Sequence, residues 1–223
     1  MTESVMKIVK YILGALLIPL AIGFSKGFYS ELSDLSYIAS RLNIFMWGII
    51  IYMLMHTLIC KPAYLYTLGH EAIHAVATWL CGGHITSFNI SSSGGSVTTS
   101  KTNTFIELSP YFVPVYTIIL LLIVPFIKAK FISSSFLTFY VMLLGFSLGM
   151  HLIMTADVLK LRQPDMKNSG YLFSLVFVYI GNLLVVFFIF SIFSKDLSFK
   201  VYLLKSFDYA KDIYLGIWNQ VVR

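Results

Sequence analysis

Apolar residues in this chain come in long, nearly unbroken runs, not in the two-residue alternation of half-buried strands. Lys7 to Phe24 is one run and Ile44 to Cys60 a second; residues 109–127, 131–159 and 170–193 complete the set. Each approaches the roughly 20 apolar residues that one helix needs to cross a bilayer. Lys7 and Lys10 flank the first run, as expected of a cytoplasmic anchor. No clear Ala-x-Ala cleavage site follows, so the run is read as an uncleaved span. Residues 25–42 carry Glu31, Asp34 and Arg41 among aromatics and predict a loop or an interfacial helix. Lys61-Pro62 closes the second run, because proline lacks a donor and lysine prefers the interface. The third run is broken by Pro110, Pro114 and Pro125 and closed by Lys128 and Lys130. The fourth contains Gly145-x-x-x-Gly149, a spacing that lets helices approach closely. A charged turn with Lys160, Arg162, Asp165 and Lys167 precedes the last run. Residues 196–223 mix Lys200, Lys205, Asp208, Lys211 and Asp212 with aromatics, the pattern of an amphipathic interfacial helix.

Two stretches depart from the runs. Ala63 to Cys81 reads as a mostly apolar helix ended by Gly82-Gly83. Residues 84–104 turn polar: Ile85, Phe88 and Ile90 lead into Ser93-Gly94-Gly95, and Val97-Thr98-Thr99 follow. That predicts a β-hairpin around a Gly-Gly turn, with a plain surface loop as the alternative. A bare strand edge cannot face lipid, so a hairpin sits at the interface or inside the protein. Such an edge can pair with an extended substrate segment.

Composition agrees with the runs. Hydrophobic residues make up 58% of the 223 positions and charged residues 12%, with a mean hydropathy of +0.83. A soluble domain carries about 25% charge. The expected fold is an all-α polytopic membrane protein of about six transmembrane or re-entrant helices with a small β-hairpin. It is read as one membrane domain: N-terminal spans over 1–60, a core over 63–193 and an amphipathic segment over 196–223. The net charge of +6 is spread over loops and ends, which points to anionic lipid as the partner and not to nucleic acid. Cys60 and Cys81 form no Cys-x-x-Cys and suggest packing residues.

The chemistry lies in the helix over 63–81, which contains His70-Glu71-x-x-His74. On a helix, positions i and i+4 share a face, so both imidazoles can reach one tetrahedral Zn²⁺. Glu71 then stands beside the metal and can take a proton from its water as general base. Ionisable groups in an apolar helix are costly and point to function. A catalytic zinc has three protein ligands, and Asp157, Asp165, His151 and Glu107 are the candidates for the third. Asp157 is the expected ligand, as the one acid within an apolar helical stretch, and Asp165 is the alternative. His151 and Asp157 do not share a helix face. His56 reads as a buried structural histidine and His84 as a loop histidine. For the site to close, the motif helix must dip into the membrane and return, which puts the 160–167 turn on the Lys61 side.

Leu68-Gly69-His70-Glu71-Ala72-Ile73-His74-Ala75-Val76-Ala77, with Gly82-Gly83-His84-Ile85 and the Gly-Gly hairpin, resembles the site-2 protease family of intramembrane zinc metallopeptidases. The later His151, Asp157, Gln163-Pro164-Asp165 and Asn182 look like its compact bacterial branch. The chain differs from the main group in having no Asp-Gly dipeptide. The resemblance implies Zn²⁺ on His70 and His74 with a downstream Asp, water activation by Glu71, and substrate positioning by Asn182, Gly94 and Gly95. It implies a multi-pass protein of a bacterial cytoplasmic membrane whose substrates are peptide bonds in or near transmembrane segments of other proteins. The rival expectation is a non-proteolytic membrane factor that keeps the zinc site.

Overall fold

The computed structural model describes residues 3–33, 40–91, 94–127, 133–161 and 163–222. Asp34, Ser93, Lys128, Lys130 and Arg162, all named above, lie outside the described residues, as does the side chain of Lys7. The elements are helices α1 (Glu3–Ser33), α2 (Ser40–Leu58) and α3 (Ala63–Leu80), strands β1 (Ile85–Ser91) and β2 (Gly94–Thr99), and helices α4 (Thr104–Leu108), α5 (Val115–Ile123), α6 (Ser134–Leu159), α7 (Pro164–Asn168), α8 (Tyr171–Phe193) and α9 (Phe199–Val221). Four described stretches are long and apolar enough to cross a membrane: Ile8–Ser33, Arg41–Leu58, Ser134–Leu159 and Tyr171–Phe193. A bent pair, Thr104–Tyr111 with Val115–Phe126 at 74°, makes a fifth if it counts as one broken span. Pro110 and Pro114 stand at the bend, where a missing donor costs least.

The chain divides into two compact units, Met1–Ala39 with Pro164–Arg223, and Ser40–Gln163. In the first, α1 packs on α8 and α9. Glycine makes the approach close: a Cβ on Gly23 would lie 2.7 Å from Ala210 Cβ, and one on Gly14 2.7 Å from the Phe173 backbone nitrogen. Phe24 and Phe28 set their edges against Tyr202, whose ring stacks on Phe187 at 4.0 Å between centroids. This packing carries α1 through residues 25–33, where the sequence predicts a loop or interfacial helix. The Ser25 hydroxyl returns to the Ala21 carbonyl (2.8 Å), and buried Glu31 is neutralised by Lys205 at 2.8 Å. With its polar groups satisfied in this way, the helix has no reason to stop after Phe24. The amphipathic α9 starts at Ser198, whose hydroxyl accepts from Val201 N–H.

In the second unit α2 lies along α6. A Cβ on Gly145 would run into the Phe45 carbonyl oxygen, and one on Gly48 into the carbonyl of Met142. A Cβ on Gly149 would lie 3.2 Å from Ile49 Cα, so the whole small-x-x-x-small stripe faces α2. The hairpin is antiparallel and packs on α3. Ser91 pairs with Gly94 and Ile90 with Gly95. The two glycines therefore open the second strand and do not form the turn that the sequence predicts. Gly82, with φ +72°, ends α3 as expected.

Gly145→Ala is expected to cost about 1–3 kcal/mol through overpacking against Phe45. Thermal unfolding in detergent checks this. Gly216→Ala is the control and is expected not to destabilise, since a Cβ there meets nothing within 4 Å.

Candidate metal centre

Helix α3 presents the motif. Its neighbours explain why one side of the helix is tightly held: a Cβ on Gly69 would sit 2.8 Å from Tyr116 and 2.9 Å from Val115. His70 and His74 are half-buried, one turn apart, with ring centroids separated by 4.9 Å. Tyr111, fully buried, sets its ring edge to face against His70 at 4.9 Å, and Tyr66 stands 5.8 Å from it.

His74 shows how its tautomer is fixed. Its Nδ1 lies 2.8 Å from the carbonyl oxygen of Ile106. A carbonyl only accepts, so Nδ1 carries a proton, and in the neutral imidazole Nε2 is the nitrogen with the lone pair that a metal would take. A donated second nitrogen of this kind is the usual outer-shell support of a metal-binding histidine. Local sequence puts the carbonyl there. Asn103 caps α4, its side-chain oxygen accepting from Ile106 N–H at 2.9 Å, while its amide nitrogen donates to Cys81 Sγ at 3.4 Å. Ile106 and Leu108 are buried and anchor this short helix.

Glu71 is buried, at 8% exposure, beneath the hairpin. A Cβ on Gly95 would lie 2.7 Å from Glu71 Cγ and 3.0 Å from its Oε1, and also 2.7 Å from Thr67 Cγ2. Only a residue without a side chain lets β2 lie this close over the carboxylate. Gly94 is exposed, with φ +152°.

Asp157, the expected third ligand, is committed elsewhere. Its Oδ2 accepts from Lys61 Nζ at 2.6 Å and lies 3.0 Å from His56 Nε2, while Oδ1 accepts from Lys160 Nζ at 2.9 Å. His56 turns its other nitrogen to the Tyr52 hydroxyl at 3.1 Å. Lys61 and Lys160 thus meet at one end of the second unit, on a single carboxylate. A local pair with Lys160 is legible three residues away in sequence; the His56 and Lys61 contacts, about a hundred residues away, are not. His151 is buried on α6 and shares the lining of a small cavity with His70. Half-buried Glu107 stands in α4, with Thr102 Oγ1 at 3.4 Å. His84 is exposed at the hairpin base, its N–H bonded to Ser100 Oγ at 2.9 Å. Asp165 and Asn182 belong to the first unit. Asp165 lies in the first turn of α7, and the Asn182 amide donates to the Val178 carbonyl of its own helix at 2.9 Å. Cys60 and Cys81 are free thiols.

The residues fit a metal in part on their own geometry: two nitrogen donors share a helix face, one has its tautomer fixed for ligation, and a buried carboxylate lies beside them. No family model matches the chain, and no curated protein or solved structure matches it either.

His56→Ala and Asp157→Ala are expected to be non-additive, with a coupling of about 0.5–3 kcal/mol in a double-mutant cycle. Unfolding midpoints of both single variants and the double variant in one detergent measure it.

Proposed function

We propose that the chain is an intramembrane zinc metalloprotease similar to the site-2 protease family, cutting peptide bonds in or near transmembrane segments of other membrane proteins. The observation that carries this reading is the 2.8 Å contact of His74 Nδ1 with the Ile106 carbonyl, with buried Glu71 directly after His70 and three residues before His74. His70 and His74 supply two ligands. Asp165 is the third in this reading, in place of Asp157, whose carboxylate is engaged by three cationic or proton-donating groups. Two imidazoles and one carboxylate match the ligand number of a catalytic zinc. Held by these residues, zinc would supply Lewis-acid polarisation of a scissile carbonyl and would lower the pKa of water toward about 7.

Glu71 does the proton work. Its carboxylate takes the proton from the attacking water and delivers it to the leaving nitrogen. Burial beneath β2 keeps bulk water from competing. The hairpin supplies the substrate side: an extended segment pairs with a strand edge, and Gly95 brings that edge onto Glu71. Asn182 and Gly94 are further positioning residues in this proposal. A substrate helix has to unwind before it can be cut, because a helical amide is shielded by its own hydrogen bonds. Six membrane-embedded elements follow if α3 dips in and returns beside the four apolar helices and the bent pair, in the cytoplasmic membrane of a bacterium.

The test is zinc content and cleavage in parallel. The purified chain in detergent is expected to hold about one zinc, retained in Asp157→Ala and lost in His74→Ala and Asp165→Ala. Glu71→Gln is expected to keep the zinc and to lose about 10²–10⁴-fold in cleavage of a membrane-spanning peptide in proteoliposomes. A folded wild-type chain without zinc would falsify the reading. Zinc without cleavage would replace it with a non-proteolytic zinc-bearing factor.

A further inference from the structure

Behind the metal motif lies a cavity of about 20 Å³, walled by residues from α3, α6 and the bent pair, among them Tyr66, His70, Val113, Ser147 and His151. About 10–15 Å³ on this measure accommodates one water, given two to four polar partners. The wall is polar where it matters. Ser147 Oγ donates to the Leu144 carbonyl at 2.9 Å and lies 2.9 Å from Thr117 Oγ1, so its orientation is set from behind. Tyr66 and Tyr116 direct their hydroxyls away, to Thr155 Oγ1 at 3.2 Å and the Leu65 carbonyl at 2.6 Å. The two imidazoles, His70 and His151, are the basic side chains of the wall. His151 is 7% exposed and sits on a helix whose apolar surroundings make an ionisable side chain expensive.

We propose that one water in this cavity bridges His70 and His151, which makes His151 a positioning residue for the metal ligand His70. This rests on the zinc reading above. The chemistry is the outer-shell support that metal-binding histidines need: a hydrogen bond at the ring nitrogen that does not ligate fixes ring orientation and raises ligand basicity. His74 draws that support from the Ile106 carbonyl. His70 draws it through the water from α6. The two ligands are thereby fixed from two different elements, and α6, which carries no ligand in this reading, contributes to affinity.

The experiment is a zinc titration of the full chain in detergent, stripped of metal and competed against a chromophoric chelator. His151→Leu is expected to weaken zinc about 10–100-fold while one zinc per chain still binds at saturation. Val113→Leu, which fills the cavity with both histidines in place, is expected to weaken it in the same direction. His151→Gln, which can still bond a water, is expected to restore most of the affinity; failure to do so with the chain folded counts against the bridge. Wild-type affinity in His151→Leu and Val113→Leu overturns the inference, and if only one of them folds, that one decides. Weakening by His151→Leu with wild-type affinity in Val113→Leu overturns the water bridge. A wild-type chain that takes up no zinc, or a His74→Ala variant that binds as tightly as wild type, overturns the zinc reading itself. Normal wild-type binding with an unaffected His151→Leu overturns the role of His151 alone.

Discussion

A polar group among apolar helices has no water to turn to, so its partner has to come from the chain. Much of the side-chain hydrogen bonding follows from that constraint. Ser25, Thr57, Thr138 and Asn182 bond back to carbonyls four residues earlier in their own helices. Thr117 and Ser147 meet across α5 and α6 at 2.9 Å. Glu31 is met by Lys205, and Asp157 by Lys61, Lys160 and His56. Most of these are single bonds or simple pairs, sufficient to offset burial and no more. The turn of α3 that carries His70, Glu71 and His74 is different in kind. It concentrates three ionisable groups within five residues, and it orients one of them through a dedicated capped helix. Satisfying burial alone would not require that.

Close backbone approach is the second device, and it serves the first. Gly145 and Gly149 let α2 settle on α6, and this brings His56, near the end of α2, to Asp157 on α6 at 3.0 Å. Bulkier residues at those positions would hold the helices apart and leave a carboxylate and an imidazole without each other. Gly95 works the same way at shorter range, lowering β2 onto Glu71. Small residues here set where polar side chains meet.

The apolar runs and the four-residue spacing that puts His70 and His74 on one helix face were legible because both are local. A run of about 20 apolar residues and a four-residue spacing of two histidines need no tertiary information. The hairpin strands and the end of α3 at Gly82 were legible for the same reason. Three features were not. Residues 25–33 continue α1 because Tyr202 and Lys205, some 170 residues later in sequence, satisfy them. Gly94 and Gly95 read as a turn because glycine pairs usually mark one, yet one of them is needed for its closeness to Glu71. The partnership of α1 with α8 and α9 left no trace in the pattern, since apolar runs do not name their neighbours.

Asp157 is the most instructive single residue. Lone acids in apolar helices invite a metal explanation, because a buried charge needs compensation. A carboxylate flanked by two ammonium groups already has it, and ligation there would have to displace Lys61 and Lys160 and then leave them facing a divalent cation. Ion pairing and metal binding are alternatives for one carboxylate. The pairing still bears on the candidate metal centre. Lys61 stands two residues before α3 begins, so its grip on Asp157 fixes where the motif helix starts relative to α6, and with it the register between His70 and the cavity wall that carries His151.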